Sequence, residues 1–377
     1  MTTQHGTHND LHSERGALPG EHPGRAKNPV IKVLDLAWLE FVKPDLAASE
    51  RFAHAFGFST VGRTANELTL RGTDTGAPCV IVRRGSRSKY LGAAFRAADS
   101  ADVMRLGDAT GAKVEKLPES MGGLSVDLTD PSGALVRVVA DTHQLAALPS
   151  QPTRVLNFGH EVRRANAVQR PLREPAKVQR LGHVVLQTTK YIETLNWYLE
   201  HLGLIVSDFK YYQGQRERGP TMSFIRCDRG ETPSDHHTLA MMLGPSNRYV
   251  HSAYQVADLD ALAAGGEYLR QKGFNRSWGI GRHIEGSQIF DYWHDPDGLL
   301  VEHFTDGDLF DSTLEPGWSP MTASGLAQWG PPVTKDFLGL TPGAEALREL
   351  RSMARALRAD NEFDLTRLRG LLKVATS

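Results

Sequence analysis

Cysteine is nearly absent. The 377 residues contain only Cys79 and Cys227, which fall in different halves of an internal repeat, so neither a disulfide framework nor a cysteine metal site can be built. That usage fits a reducing, cytoplasmic compartment. Long apolar runs are missing too: no segment approaches the roughly 18 to 20 apolar residues of a membrane-crossing helix. Residues 1–27 hold no apolar segment that would make them a secretory signal. Nor is there an excess of either charge. Lys and Arg number 43 against 44 Asp and Glu, a net charge of -1, which leaves no electrostatic footprint for nucleic acid or an anionic membrane surface.

What is present is ordinary core material, with 40% hydrophobic and 23% charged residues. The length suggests two domains at roughly 150 residues each. Residues 1–27, rich in His, Gly, Glu and Arg and carrying His5, His8, His12 and His22, read as a disordered N-terminal tail. From 28 to 145 the unit strand, helix, three strands is read twice. A strand over 31–41 leads into a helix over 45–56 closed by Gly57, with extended runs over 67–71 and 79–84. A strand over 91–96, a helix over 101–107 and strands near 113–115, 123–127 and 135–140 follow.

Residues 146–176, with Pro149, Pro152, Pro171, Pro175 and the cluster Arg163, Arg164, Arg170 and Arg173, read as a linker with room for one short turn of helix. The unit then restarts over 177–308. Strand 181–188, helix 192–202 closed by Gly203 and strands near 205–211, 221–227 and 238–243 make a third module. Strand 250–256, helix 259–271 and strands near 275–279, 288–293 and 299–304 make a fourth. Residues 309–377 are an extension. Its segment 309–338 is expected either to lie over a barrel mouth or to run along the surface, and its helices over 342–358 and 364–374 to pack on the domain or on a neighbouring subunit. The expected fold is α+β: four βαβββ modules in two domains, each an open, barrel-like mixed sheet with helices outside.

The halves are copies, and such periodicity decides the architecture. The run from Lys89 to Asp99 lies over that from Arg248 to Asp258, and Asp130-Pro-Ser-Gly-Ala-Leu-Val-Arg137 over Asp295-Pro-Asp-Gly-Leu-Leu-Val-Glu302. Registration shows what the first half lacks. His251 falls on Gly92, Glu302 on Arg137 and His237 on Pro78, and counting back from the helix-ending glycines places His183 on Ala37. A purely structural role would predict some retention in both halves. Two imidazoles and a carboxylate, each entering from a different strand, are the ligand set of a non-haem iron(II) site with open positions. His183, His251 and Glu302 are therefore the candidate metal ligands, with His237 as a histidine beside them. His236, one residue away, is expected on the opposite strand face, structural or solvent-exposed, and His294 and His303 outside the site. Trp278, Phe290 and Trp318 are candidates for an aromatic pocket lining, although aromatic strand residues are more often core.

These residues carry a family resemblance. The stretch from about 30 to 305 is similar to the type I extradiol catechol dioxygenases of the vicinal oxygen chelate superfamily, most strongly from Leu181 onward. His183 in Leu-Gly-His-Val, His251 in Arg-Tyr-Val-His and Glu302 in Leu-Val-Glu match the family's metal ligands. The resemblance also implies a catalytic role for His237 in His-His-Thr-Leu-Ala, His283 in Gly-Arg-His and Tyr292 in Phe-Asp-Tyr-Trp. Nine residues separate His283 from Tyr292 and ten separate Tyr292 from Glu302, as in the family signature. It implies iron(II), with manganese(II) as the alternative ion, a catecholic substrate with O2, a homo-oligomer, and a meta-cleavage semialdehyde as product. A glyoxalase-like isomerase of the same superfamily and a non-catalytic protein that binds an aromatic ligand are the rival readings.

Overall fold

The structure, a computed structural model, describes residues 13–339 and 344–374. A short β1 (Glu14–Arg15) precedes the repeat. The first module is β2 (Asp35–Lys43), α1 (Leu46–Phe56), β3 (Ser59–Arg63), β4 (Glu67–Arg71) and β5 (Val80–Arg84); the second is β6 (Lys89–Arg96), α2 (Ser100–Thr110), β7 (Val114–Lys116), β8 (Leu124–Thr129) and β9 (Leu135–Ala140). The third runs through β10 (Arg180–Thr188), α3 (Tyr191–Leu202), β11 (Leu204–Tyr212), β12 (Met222–Cys227), a two-residue β13 (Ser234–Asp235) and β14 (Leu239–Leu243). The fourth is β15 (Arg248–Gln255), α4 (Leu259–Gln271), β16 (Arg276–His283), β17 (Ile289–His294) and β18 (Leu300–Thr305). The extension adds β19 (Leu309–Phe310), β20 (Gly317–Met321), β21 (Ala327–Trp329), α5 (Ala344–Ala356) and α6 (Leu365–Val374).

Local chemistry sets the helix ends. Asp45, Asp99 and Asp258 each accept hydrogen bonds from backbone N–H groups of the first turns of α1, α2 and α4, satisfying donors with no partner inside the helix. Gly57 and Gly203 stop α1 and α3 in the left-handed region, where a side chain would be strained.

Among the described residues the strands form two large sheets, eight-stranded in the order β3-β4-β5-β2-β6-β9-β8-β7 and eleven-stranded in the order β1-β20-β11-β12-β14-β10-β15-β18-β17-β16-β21. In each, the first strands of the two modules pair antiparallel at the centre, and each pairs parallel with the last strand of its own module. One apolar cluster runs through both domains. Phe52 meets Phe274 edge-on at 5.0 Å between ring centroids, and Phe56 is fully buried; burying such a side chain stabilises by roughly 1.5–3 kcal/mol.

Four expectations need correction. Residues 13–27 are ordered: β1 pairs with β20, and His22 bonds Asn196 at 2.8 Å, because Arg15, Glu14 and Glu21 all find charged partners on the C-terminal half. The other tail histidines, His5, His8 and His12, lie outside the described residues. β3 has no apolar alternation, being half-buried to exposed throughout, and is held by its pairing with β4. The 146–176 stretch contains no helical turn. Segment 309–338 is not a loose surface extension: β20 joins β11 at one end of the sheet and β21 joins β16 at the other, satisfying unpaired backbone groups there, and its Leu326, Val333 and Phe337 pack against Trp278 and Tyr292.

Candidate metal centre

β10, β15 and β18 are adjacent, and their register decides which residues share a face. His183 stands opposite Ala253, Ala253 opposite Glu302, and His251 opposite Val185. Residues opposite one another, or two apart, project from the same side of a sheet, so the two histidines and the glutamate rise together. They converge. His183 Nε2 lies 3.4 Å and His251 Nε2 3.2 Å from Glu302 Oε2, and one ligand atom from each of the three falls within 4.8 Å of the others.

All three are buried. Neither carboxylate oxygen of Glu302 has a hydrogen-bond partner, and Nδ1 of both His183 and His251 is also unpartnered. An ionised group buried without compensation is costly, whereas two imidazoles and a carboxylate are a natural donor set for iron(II) or manganese(II). The residues fit the ion. Burial would raise the Glu302 pKa, but the His183 and His251 imidazoles prevail and hold it far below the usual carboxylate range. Burial pushes His183 below its ordinary value, against the opposing pull of Glu302. Both groups are thus biased toward the protonation states that ligate.

The other candidates surround this cluster. Tyr292 stands opposite Glu302 in the β17–β18 pair, and its hydroxyl lies 2.9 Å from His283 Nε2. Because His283 Nδ1 lies 2.7 Å from the carbonyl of Leu326, which can only accept, that nitrogen carries the ring proton when the ring is neutral. Nε2 then accepts from the tyrosine hydroxyl. Burial lowers the His283 pKa and, with Glu302 nearby, raises that of Tyr292 well above its usual value. His237 precedes β14 with its ring 4.0 Å from that of His183, and burial followed by the neighbouring imidazoles keeps it well below the ordinary imidazole range.

Trp278 lies parallel to Tyr292 at 5.8 Å, and Phe290 packs 4.2 Å from both Trp278 and His283, so both wall the Tyr292–His283 pair. Trp318 instead packs on Phe209 at 4.6 Å, among core residues. His294 bonds Asp336 and His303 bonds the Phe56 carbonyl, both away from the triad. His236 is structural rather than solvent-exposed, and it turns toward His237 instead of away: it is buried at 1% exposure, with Nδ1 3.0 Å from His237 Nδ1 and Nε2 2.7 Å from Asp208 Oδ2. The turn between β13 and β14 breaks the strand alternation on which the opposite-face reading depended. Asp208 and the buried ion pair Lys210–Glu285 also escaped sequence reasoning, since no local pattern tells which distant residues the side chains of β11 meet.

The equivalent place in the N-terminal domain explains its lack of ligands. Strand pairing aligns His183 with Trp38, one residue from the Ala37 reached by counting, because α3 has 12 residues and α1 has 11. Gly92 leaves no room for a side chain there: a Cβ would sit 2.0 Å from the Leu135 carbonyl oxygen. Arg137, in the place of Glu302, instead closes an ion pair with Glu40, which also pairs with Arg83 and accepts from Trp38 Nε1.

Comparison with known proteins supplies the family. The family model of the Glyoxalase/Bleomycin resistance protein/Dioxygenase superfamily matches residues 180–303. The chain is 30% identical to Metapyrocatechase 2 of Cupriavidus necator over 88% of its own length and 98% of that protein. Its structure is similar to a Mn(II)-bound glyoxalase from Novosphingobium aromaticivorans, with a TM-score of 0.66 and 25% identity over 84% of this chain and 99% of that one. An extradiol ring-cleaving dioxygenase from B. fuscum shares the fold, with a TM-score of 0.66 and 18% identity over 84% of each chain.

Proposed function

The chain belongs to the extradiol dioxygenases of this superfamily, and from that premise we propose that it uses iron(II), held by His183, His251 and Glu302, to open a catecholic ring beside its hydroxyls with O2. The product is a semialdehyde that carries both oxygen atoms. The observation that carries the reading is the convergence of three buried ligand side chains within 4.8 Å, flanked by His237 on one side and the Tyr292–His283 pair on the other. Iron(II) there would supply open coordination positions for the catechol and O2 and a path for electrons from the catechol, which is oxidised, to the O2 that is reduced.

The remaining work falls to the protein. Ring opening needs a group that takes a proton from a catechol hydroxyl and returns one later; His237 suits it, with an imidazole kept neutral by burial. The Tyr292 hydroxyl, whose proton is donated to His283 Nε2, orients the substrate oxygen it meets. Trp278 and Phe290 exclude water and offer flat apolar surface to an aromatic ring. The test is anaerobic loading with Fe(II), then air and a panel of catechols. A ring-opened product in the wild type and none in His183→Gln supports the reading; equal turnover in both refutes it.

The likeness to a manganese-bound glyoxalase favours a second reading, an isomerase of that kind. Such a reaction consumes no O2, so an oxygen electrode separates the two. Among the described residues no helix is long and apolar enough to cross a membrane; a cytoplasmic location is proposed from the cysteine usage, two buried free thiols, which suits a reducing compartment. A homo-oligomer is proposed from the segment between the domains, where Val155, Phe158, Val162, Val168 and Leu172 are all more than half exposed. Such apolar surface is characteristic of an interface. Sedimentation at a single species of one-chain mass would refute it.

A further inference from the structure

His237 is held from behind by a two-residue chain. Its Nδ1 lies 3.0 Å from Nδ1 of His236, whose Nε2 lies 2.7 Å from Asp208 Oδ2. The three residues are buried, at 4%, 1% and 2% exposure. We propose that Asp208 and His236 are positioning residues that fix His237 as the Nδ1–H tautomer and leave its Nε2 as the free base for the substrate.

The direction of each bond follows from what each atom can do. A carboxylate only accepts, so the proton between Asp208 and His236 belongs to His236 Nε2. A neutral imidazole then presents a lone pair at Nδ1. The only donor that can meet it across 3.0 Å is the Nδ1–H of His237, which leaves Nε2 of that ring without a proton. His236 need not be a cation to balance Asp208, because Arg15 approaches the other carboxylate oxygen at 3.5 Å.

The surroundings are shaped around this pair. Gly286 has a φ of +80°, and a Cβ there would come 2.9 Å from His236 Nδ1; a Cβ on Gly317 would come 1.9 Å from Asp208 Oδ1. Phe224 and Phe310 flank the His236 ring, each at 5.4 Å. Its backbone is pinned on both sides: the N–H donates to the Asp308 carbonyl at 2.9 Å, and the carbonyl accepts from Ser207 Oγ at 2.6 Å. Neither His236 nor Asp208 touches the metal ligands, so their effect reaches the reaction through His237 alone.

The inference rests on His237 being the proton-exchanging residue, and its test is chosen to separate the two ideas. In 15N-histidine-labelled protein loaded with Zn(II) as a diamagnetic stand-in, the His237 ring nitrogens report the tautomer without any turnover. The expected spectrum shows a protonated Nδ1 and an unprotonated Nε2; the reverse tautomer overturns the proposal. In the iron-loaded enzyme, His236→Phe should lower kcat about 10- to 100-fold, the usual cost of losing a residue that orients a working group. KM and iron content should stay within about twofold of wild type. His236→Asn, whose side-chain oxygen can stand in for Nδ1 as acceptor, should recover most of the loss. Equal kcat in wild type and a folded His236→Phe, or no recovery in His236→Asn, counts against the proposal. A wild type that shows the Nδ1–H tautomer when loaded with Zn(II) yet opens no catechol when loaded with iron would refute the assigned reaction while bearing out the positioning.

Discussion

At the scale of single residues, Glu302 carries the heaviest demand. Its carboxylate is fully buried, has no hydrogen-bond partner and faces two imidazole nitrogens, an arrangement that a bound cation compensates and an empty site does not. Replacing it with Gln removes the anionic ligand while keeping the volume. Iron retained after dialysis, measured by elemental analysis, should fall by more than the roughly 10- to 100-fold expected when a residue that merely orients a ligand is lost. Tyr292→Phe, by contrast, should leave iron content at the wild-type level and lower kcat, since its hydroxyl bonds His283 rather than the triad. The convergence of His183, His251 and Glu302 was legible in the sequence because each stands in an apolar strand and has no equivalent in the other half. The His236–Asp208 pair was not, because the two stand 28 positions apart and meet only through the tertiary fold, which local pattern does not encode.

At the scale of elements, the repeat was legible where the apolar alternation is strong and failed where contacts replace it. The helices and the central strands of each sheet stand where periodicity puts them. β3 and β1 carry no such signal, and β20 and β21 are defined by the edges they cover. The one-residue error that set His183 over Ala37 has the same root, since helix length differs between modules while strand register does not. The register also turns the N-terminal equivalent of the site into a structural ion pair. Glu40 is 1% exposed and depends on Arg137 and Arg83 for compensation. Arg137→Ala should therefore destabilise the chain by about 3 kcal/mol, as breaking one side of a buried pair does, with no change in iron content; urea denaturation and elemental analysis on the same sample check both.

At the scale of the whole molecule, β18 joins chemistry to domain assembly. Glu302 faces the triad, and the next residue, His303, points the other way into the N-terminal domain. There its ring lies 3.7 Å from that of Phe56 and its Nε2–H donates to the Phe56 carbonyl at 2.6 Å. Burial pushes the His303 pKa down to about 4. The folded protein thus keeps this ring neutral where the unfolded chain, titrating near 6.5, takes up a proton. Stability is held above about pH 6.5 and is lost as pH falls toward 4. Between about pH 7 and pH 4 the metal-free wild type should lose about 3 kcal/mol more than His303→Gln, since each tenfold difference in proton affinity between folded and unfolded chain is worth roughly 1.36 kcal/mol; parallel slopes in urea titrations would dismiss it. The two-domain architecture was readable from the repeat, whereas this tie between the halves needed the packing of α1 against β18. The central claim, that His183, His251 and Glu302 hold one ion between them, is tested most directly by anomalous diffraction at the iron edge from crystals of the iron-loaded protein. The account predicts a single strong peak per chain within bonding reach of His183 Nε2, His251 Nε2 and a Glu302 carboxylate oxygen. A peak elsewhere, or none, would contradict it.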